Sequence, residues 1–241
     1  MIRVALTTRG CRPRRVVCLV ALSTLLASGA AHAQFSASVG VETDHRFRGV
    51  SLSDGQPDAH LSVAYDHASG VFAGASATRV EFMRGRRSVQ LLGDVGVATR
   101  LSSDFNAEAG VTSSAFSGNA RYNYSEAFVG VSGERWSLRV YWAPNYFGFD
   151  QSTAYAELDA NAPLQPQLRV FGHVGALTTL HGVNTDDRNS TRYDARVGVG
   201  FAALTSLDVQ LAWVAATRSG PYVVDYGNRR NTWVLSATAS F

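Results

Sequence analysis

Residues 193–201 read Tyr-Asp-Ala-Arg-Val-Gly-Val-Gly-Phe. Successive side chains of a strand point to opposite faces. Tyr193, Ala195, Val197, Val199 and Phe201 therefore share one face, and Asp194, Arg196, Gly198 and Gly200 share the other. One face is apolar with an aromatic ring at each end; the other is charged or bare. The same design recurs at Trp233–Phe241 (WVLSATASF), at Trp136–Trp142 (WSLRVYW) and at Leu168–Val174 (LRVFGHV). Alternation of period two runs from end to end with no competing helical period, so the chain is expected to be all-β.

Turn signals between the alternating runs divide the chain into roughly twelve strands: 35–48, 56–66, 70–82, 88–100, 104–115, 122–132, 136–147, 152–161, 167–177, 191–202, 207–217 and 231–241. The connections fall into two classes. Tight turns follow the even strands, around 67–69, 101–103, 133–135, 162–166 and 203–206, and mostly longer loops follow the odd ones, notably 178–190 and 219–230. Short turns on one rim, longer loops on the other and an even strand number describe an antiparallel transmembrane β-barrel of the outer-membrane type.

Residues 1–33 are set apart from that barrel. They carry five arginines and no acid, an apolar run over 16–30, and Ala31-His32-Ala33. This is the pattern of a cleaved secretory signal peptide, and the run is too short for a spanning helix, which needs about 20 residues. The expected barrel is 34–241, exported to the bacterial outer membrane. Both cysteines, Cys11 and Cys18, fall in the leader, so the barrel has no thiol for a disulfide, a zinc site or a nucleophile. Of the 22 basic residues, all arginine, 17 remain against 19 acids, and that slightly negative balance argues against a nucleic-acid partner.

In a barrel that sits in lipid, the apolar face looks outward, and amphipathic rings favour the headgroup level. Phe35, Tyr65, Phe105, Trp136, Phe201 and Phe241 would form the belt nearest the tight turns, and Phe47, Trp142, Tyr193, Trp213 and Trp233 the other. Tyr193 to Phe201 and Trp233 to Phe241 are each eight residues apart, about 20 Å across a tilted strand, close to the ~25 Å expected of an apolar band. The opposite face would line the lumen. Its candidate selectivity residues are Glu42, Asp44, Arg46, Arg48, Arg139, Glu157, Asp159, Arg169, His173 and Arg196. These either orient an ionic solute, as charged rings do in other pores, or pair with one another as structural ion pairs. Both readings stay open at this stage.

The segment 43–57, TDHRFRGVSLSDGQP, continues the first strand's alternation into a small polar loop. On that phase Asp44, Arg46 and Arg48 project into the lumen while His45 and Phe47 touch lipid. The arrangement Asp44-x-Arg46-Phe47-Arg48-Gly49-Val50-Ser51-x-Ser53-Asp54-Gly55-x-Pro57, with the leader, the length and the terminal Phe241, resembles the TorF family of porins, a family assigned by architecture and otherwise of unknown function. The resemblance implies an outer-membrane barrel more firmly than transport, and brings no catalytic residues. Phe241, closing an alternating strand, also resembles the C-terminal signal read by the bacterial outer-membrane assembly machinery.

The expected function is a narrow channel for passive diffusion of small solutes. The alternatives are a closed-lumen structural or adhesive barrel and, third, a lipid-modifying enzyme. An enzyme needs a nucleophile beside a base. His45 has no serine among its expected neighbours, and His60 beside Ser62 is the one pairing of note. No cofactor or metal site is expected: Thr185-Asp186-Asp187 lacks the spaced oxygens of a calcium loop. The basic tip 83–87 and the loop bearing Tyr222, Tyr226, Arg229 and Arg230 are candidate contacts for lipopolysaccharide or a ligand.

Overall fold

A computed structural model describes residues 33–83, 86–182, 191–217, 220 and 231–241. The leader up to residue 32, the tip 84–85, the carboxylate pair at 186–187 and the loop 221–230 lie outside the described residues.

Fourteen strands follow in chain order: β1 (Ala33–Glu42), β2 (Arg46–Phe47), β3 (Val50–Ser51), β4 (Asp58–His67), β5 (Val71–Met83), β6 (Arg86–Arg100), β7 (Asn106–Phe116), β8 (Tyr124–Ser132), β9 (Trp136–Ala143), β10 (Gln151–Gln165), β11 (Leu168–Gly182), β12 (Thr191–Leu204), β13 (Leu207–Ala216) and β14 (Thr232–Ser240). Twelve form a closed antiparallel barrel in which each wall strand pairs with its neighbours along the chain, and β1 closes the ring on β14. Val39 lies opposite Ala239 on one side of β1 and opposite Leu61 on the other. Closure of this kind leaves no strand of the wall without a neighbour on either side, which lipid demands. Among the described residues no helix is long and apolar enough to cross a membrane; the strands do so.

The wall follows the alternation. Val39, Leu61, Val95, Val111, Val197 and Leu235 point outward and are exposed, although each is a residue a soluble protein would bury. Aromatics mark both ends of this face. Phe35 and Tyr65 face each other across β1 and β4 with ring centroids 4.8 Å apart, Phe105 meets Trp136 edge-on at 6.0 Å, and Trp213 lies opposite Trp233. Tyr193, Phe201, Trp142 and Phe241 are likewise exposed on the outside.

The first strand departs from expectation. It ends at Glu42, and the residues from Asp44 to Ser53 fold inside the barrel as the β2–β3 hairpin. Asp44, Arg46 and Arg48 are thus not on a wall strand. Phe47 is not in the outer belt, because it packs against the buried aromatic cluster inside the loop end. His45 does not face lipid either: its Nδ1 lies 2.6 Å from the inward Glu42 carboxylate. Alternation is the same for a wall strand and for a hairpin strand in the lumen, so the pattern alone could not separate them. The ninth strand also stops early, at Ala143, where a 3-10 turn (Tyr146–Gly148) carries Phe147 at φ 53°.

Replacing Val197, midway between Tyr193 and Phe201 on the outer face, by arginine should destabilise the barrel by about 2–4 kcal/mol. Reversible denaturant unfolding in lipid vesicles measures this, and an unchanged midpoint would place that face away from hydrocarbon.

Candidate functional site

The site begins with the hairpin. Arg48 and Gly49 occupy its two central positions with φ 49° and 75°, the positive pair that a tight primed turn requires. Asp44 knits the hairpin together: its carboxylate accepts hydrogen bonds from Ser51 Oγ (2.5 Å), Ser53 Oγ (3.1 Å) and Arg46 Nε (2.7 Å). Arg46 donates onward to the Gly49 carbonyl at 3.0 Å, and Ser53 Oγ accepts from the His45 amide at 2.9 Å. The turn crosses the lumen until Gly49 abuts Asp194 and Ala216, where a Cβ would collide with both.

Arg48 reaches the opposite wall. Its guanidinium donates to both oxygens of Glu126 on β8, at 2.9 and 2.6 Å, and lies 4.2–5.5 Å from the ring centres of Phe47, Tyr141, Tyr146 and Tyr155. Both side chains of the ion pair are almost wholly buried, at 5% and 3% exposure. Burial by itself works against the charge on Arg48, but the Tyr146 and Tyr124 oxygens and the Glu126 carboxylate outweigh it and hold its pKa above the ordinary arginine value. Around the pair lies a buried cluster built from the hairpin (Val50, Leu52), the inner wall (Val80, Phe116, Tyr124, Tyr155) and the 3-10 turns of the β7–β8 and β9–β10 loops (Tyr122, Tyr146, Phe147). Tyr124 and Tyr146 meet edge-on at 5.0 Å, and Phe116 stacks on Phe147 at 5.7 Å. The loop end of the lumen is therefore filled.

Below the hairpin the lumen is hollow. A chamber of about 770 Å³ runs from Asp44–Gly49 to the β8–β9 turn at Gly133 and Glu134. Tight turns of this kind form the periplasmic rim in outer-membrane barrels. What keeps it hollow is glycine. Arg169 lies over Gly200, Phe171 over Gly198 and Phe72 over Gly96, each glycine being the register partner on the adjacent strand, where a Cβ would strike the covering side chain. Long side chains thus lie flat on the wall.

All ten residues assigned to the lumen face border this chamber, three of them from the hairpin. Most of its cations are paired. Arg139 binds both oxygens of Glu108 at 2.5 and 3.2 Å, and Arg169 both oxygens of Asp208 at 2.6 and 2.8 Å. His173 stands between Asp159 (2.8 Å) and Asp194 (3.0 Å), with Tyr155 Oη at 3.1 Å. Glu157 accepts from Tyr141 Oη at 2.9 Å. Arg196 donates to the Gln210 side-chain oxygen at 3.1 Å and covers the Phe171 ring at 5.1 Å. Glu157, Asp159 and His173 form a set whose potential ligand atoms lie within 4.8 Å of one another. His60 and Ser62 do not form a nucleophile–base pair: the Ser62 hydroxyl bonds that of Ser38 at 2.6 Å.

The inward aromatics went unread in the sequence. Tyr141, Tyr155, Phe128 and Phe171 share the phase of Arg139, Glu157, Glu126 and Arg169, and that parity was the available signal. The tie between Arg48 and Glu126 spans 78 positions and has no local signature.

Wall and chamber together define an outer-membrane β-barrel enclosing a charged lumen that is narrowed at the loop end by its own chain. The chain belongs to the bacterial family of unknown function Gcw_chp, whose model matches residues 26–241. No curated protein matches it. Among solved structures it is similar to the NanC porin (TM-score 0.58, 9% identity, covering 86% of this chain and 99% of that one) and to the KdgM porin (TM-score 0.55, 10% identity, with 86% and 99% covered). At these identities the likeness is one of fold.

Removing one partner of a buried ion pair leaves an uncompensated charge. Arg48→Ala or Glu126→Ala should each cost about 3–5 kcal/mol in unfolding experiments, and the double variant clearly less than the sum. Additive costs would mean that the two groups do not meet.

Proposed function

We propose that this barrel is a porin-like channel for passive diffusion of small solutes, with the charged chamber as its lumen and the inserted hairpin as its narrowest point. The observation that carries the reading is the chamber itself. A barrel serving only as a scaffold would pack its lumen, whereas here paired glycines hold some 770 Å³ open along the periplasmic half. The porin folds of its structural neighbours support the reading. Its charged lumen residues would orient ionic solutes as they pass.

The rest of the assignment follows from outer-membrane residence. Residues 1–33 would direct export and be removed, and Phe241 would present the last strand to the assembly machinery. The two aromatic belts would sit at headgroup level, with lipopolysaccharide about the loop-side rim. Kinship with the TorF porins is part of this proposal, the segment 43–57 being its signature.

A second reading has its own support: the filled loop end suits a closed surface barrel with a structural or adhesive role. Single-channel recording on the refolded protein in planar bilayers separates the two. Wild type should give small, stable steps, and Arg48→Ala, which releases the hairpin from the far wall, should give larger or more frequent ones. A barrel shown to be folded that stays silent in both forms would overturn the channel and leave the surface role.

A further inference from the structure

The charges around the chamber do not balance. Among the described residues eight carboxylates line it against five guanidiniums and one imidazole, an excess of acid even with His173 counted as charged. Just behind the lining, Glu108 and Asp208 add to it, while Arg135 beside Glu134 and His45 beside Glu42 offset it in part.

Pairing sharpens the imbalance. Arg48, Arg139 and Arg169 are each gripped by a carboxylate through two hydrogen bonds, and Arg46 is tied to Asp44. A guanidinium held in this way is neutralised at short range and offers little to a passing anion. Several acids are not so held. Asp94 makes no hydrogen bond or ion pair among the described residues. Among the described residues Glu157 accepts its one hydrogen bond from a phenol, with the His173 imidazole nearby but not bonded to it. Asp159 shares one imidazole with Asp194, and its side chain is 50% exposed. On the other side stands Arg196, whose direct contacts among the described residues are an amide oxygen and a ring face. A concave space lined by one sign of charge within a low-dielectric wall concentrates the opposite ion, and rings of Asp and Glu select cations in other pores.

We infer that the chamber is a cation-selecting vestibule, with Glu157 and Asp159 on β10 as its centre and Asp94 as a second acidic station. This rests on the channel reading and deepens it: the solutes favoured are inorganic cations and small organic amines, and anions are disfavoured. Arg196 acts in the opposite sense, as a brake on cation occupancy.

Reversal potentials under a KCl gradient test the inference. Wild type should prefer K⁺ over Cl⁻ by a permeability ratio on the order of ten. Glu157→Gln/Asp159→Asn should bring the ratio close to unity, Asp94→Asn should lower it in part, and Arg196→Gln should raise it. A conducting channel that prefers chloride, or whose ratio ignores these changes, overturns the inference while leaving the channel intact. If the barrel proves silent, Tb³⁺ binding to the detergent-refolded protein decides the matter, read as luminescence sensitised by Tyr141 and Tyr155. Saturable emission that is lost in Glu157→Gln/Asp159→Asn supports the acidic centre. Absent emission, or emission unchanged in that variant, refutes it. Retained heat-modifiable migration of each variant on gels shows that the barrel has folded.

Discussion

Everything in this molecule follows from what hydrocarbon refuses to accept: an unpaired peptide group or an exposed charge. The first demand closes the ring, with β1 paired to β4 over ten positions and to β14 over five. The second sorts the side chains, so that the residues a soluble protein would bury are on the outside. The charges that remain can only go inward, into a confined and partly dry space. There an isolated charge is costly, and the inner wall answers with bidentate pairs such as Arg139–Glu108 and Arg169–Asp208. Ion pairing inside the barrel is thus a consequence of the lipid outside it.

Twelve strands pose a second geometric problem. About eight enclose just enough room for side chains to fill, and sixteen or more leave an aqueous channel. Here the two halves of the lumen take opposite courses. In the periplasmic half, glycines accept the side chains of the adjacent strand flat against the wall, so the centre stays clear. Glycine ordinarily weakens a strand, but each of these is covered by a ring or a guanidinium, and the lost packing is restored from the side. In the loop half the space is filled instead, by the hairpin and the two aromatic 3-10 turns. One barrel therefore holds both a chamber and a stopper.

How far the sequence shows this depends on the range of the interactions. The wall is local: alternation, turn residues and aromatic spacing reveal nearly every strand, because each strand meets the same lipid along the same length. The stretch from Asp44 to Arg48 misleads for the same reason. A hairpin strand inside the lumen also has two faces, and Phe47 reads as lipid-facing although it packs against the buried cluster within the barrel. Gly49 is the local sign of a turn in the sequence; Arg48, which the structure holds at φ 49°, gives none. The destination of that turn, Glu126 on the far wall, is set by folding of the whole ring. Likewise Glu157, Asp159 and Arg196 alternate in phase and border the chamber, but which charges are paired depends on registers between strands distant in the chain.

The dependence between wall and stopper runs one way. Every wall strand has its full complement of neighbours without the hairpin, and the β1–β4 and β1–β14 registers end where the hairpin begins. The hairpin has no such independence. Two residues pair with two in its own sheet, far too little to stand alone in water. Its order comes from Asp44 at its base and from Arg48 among rings that the wall provides. Such an element is fixed by a few concentrated contacts rather than by a ladder, whereas the wall registers are complete without it.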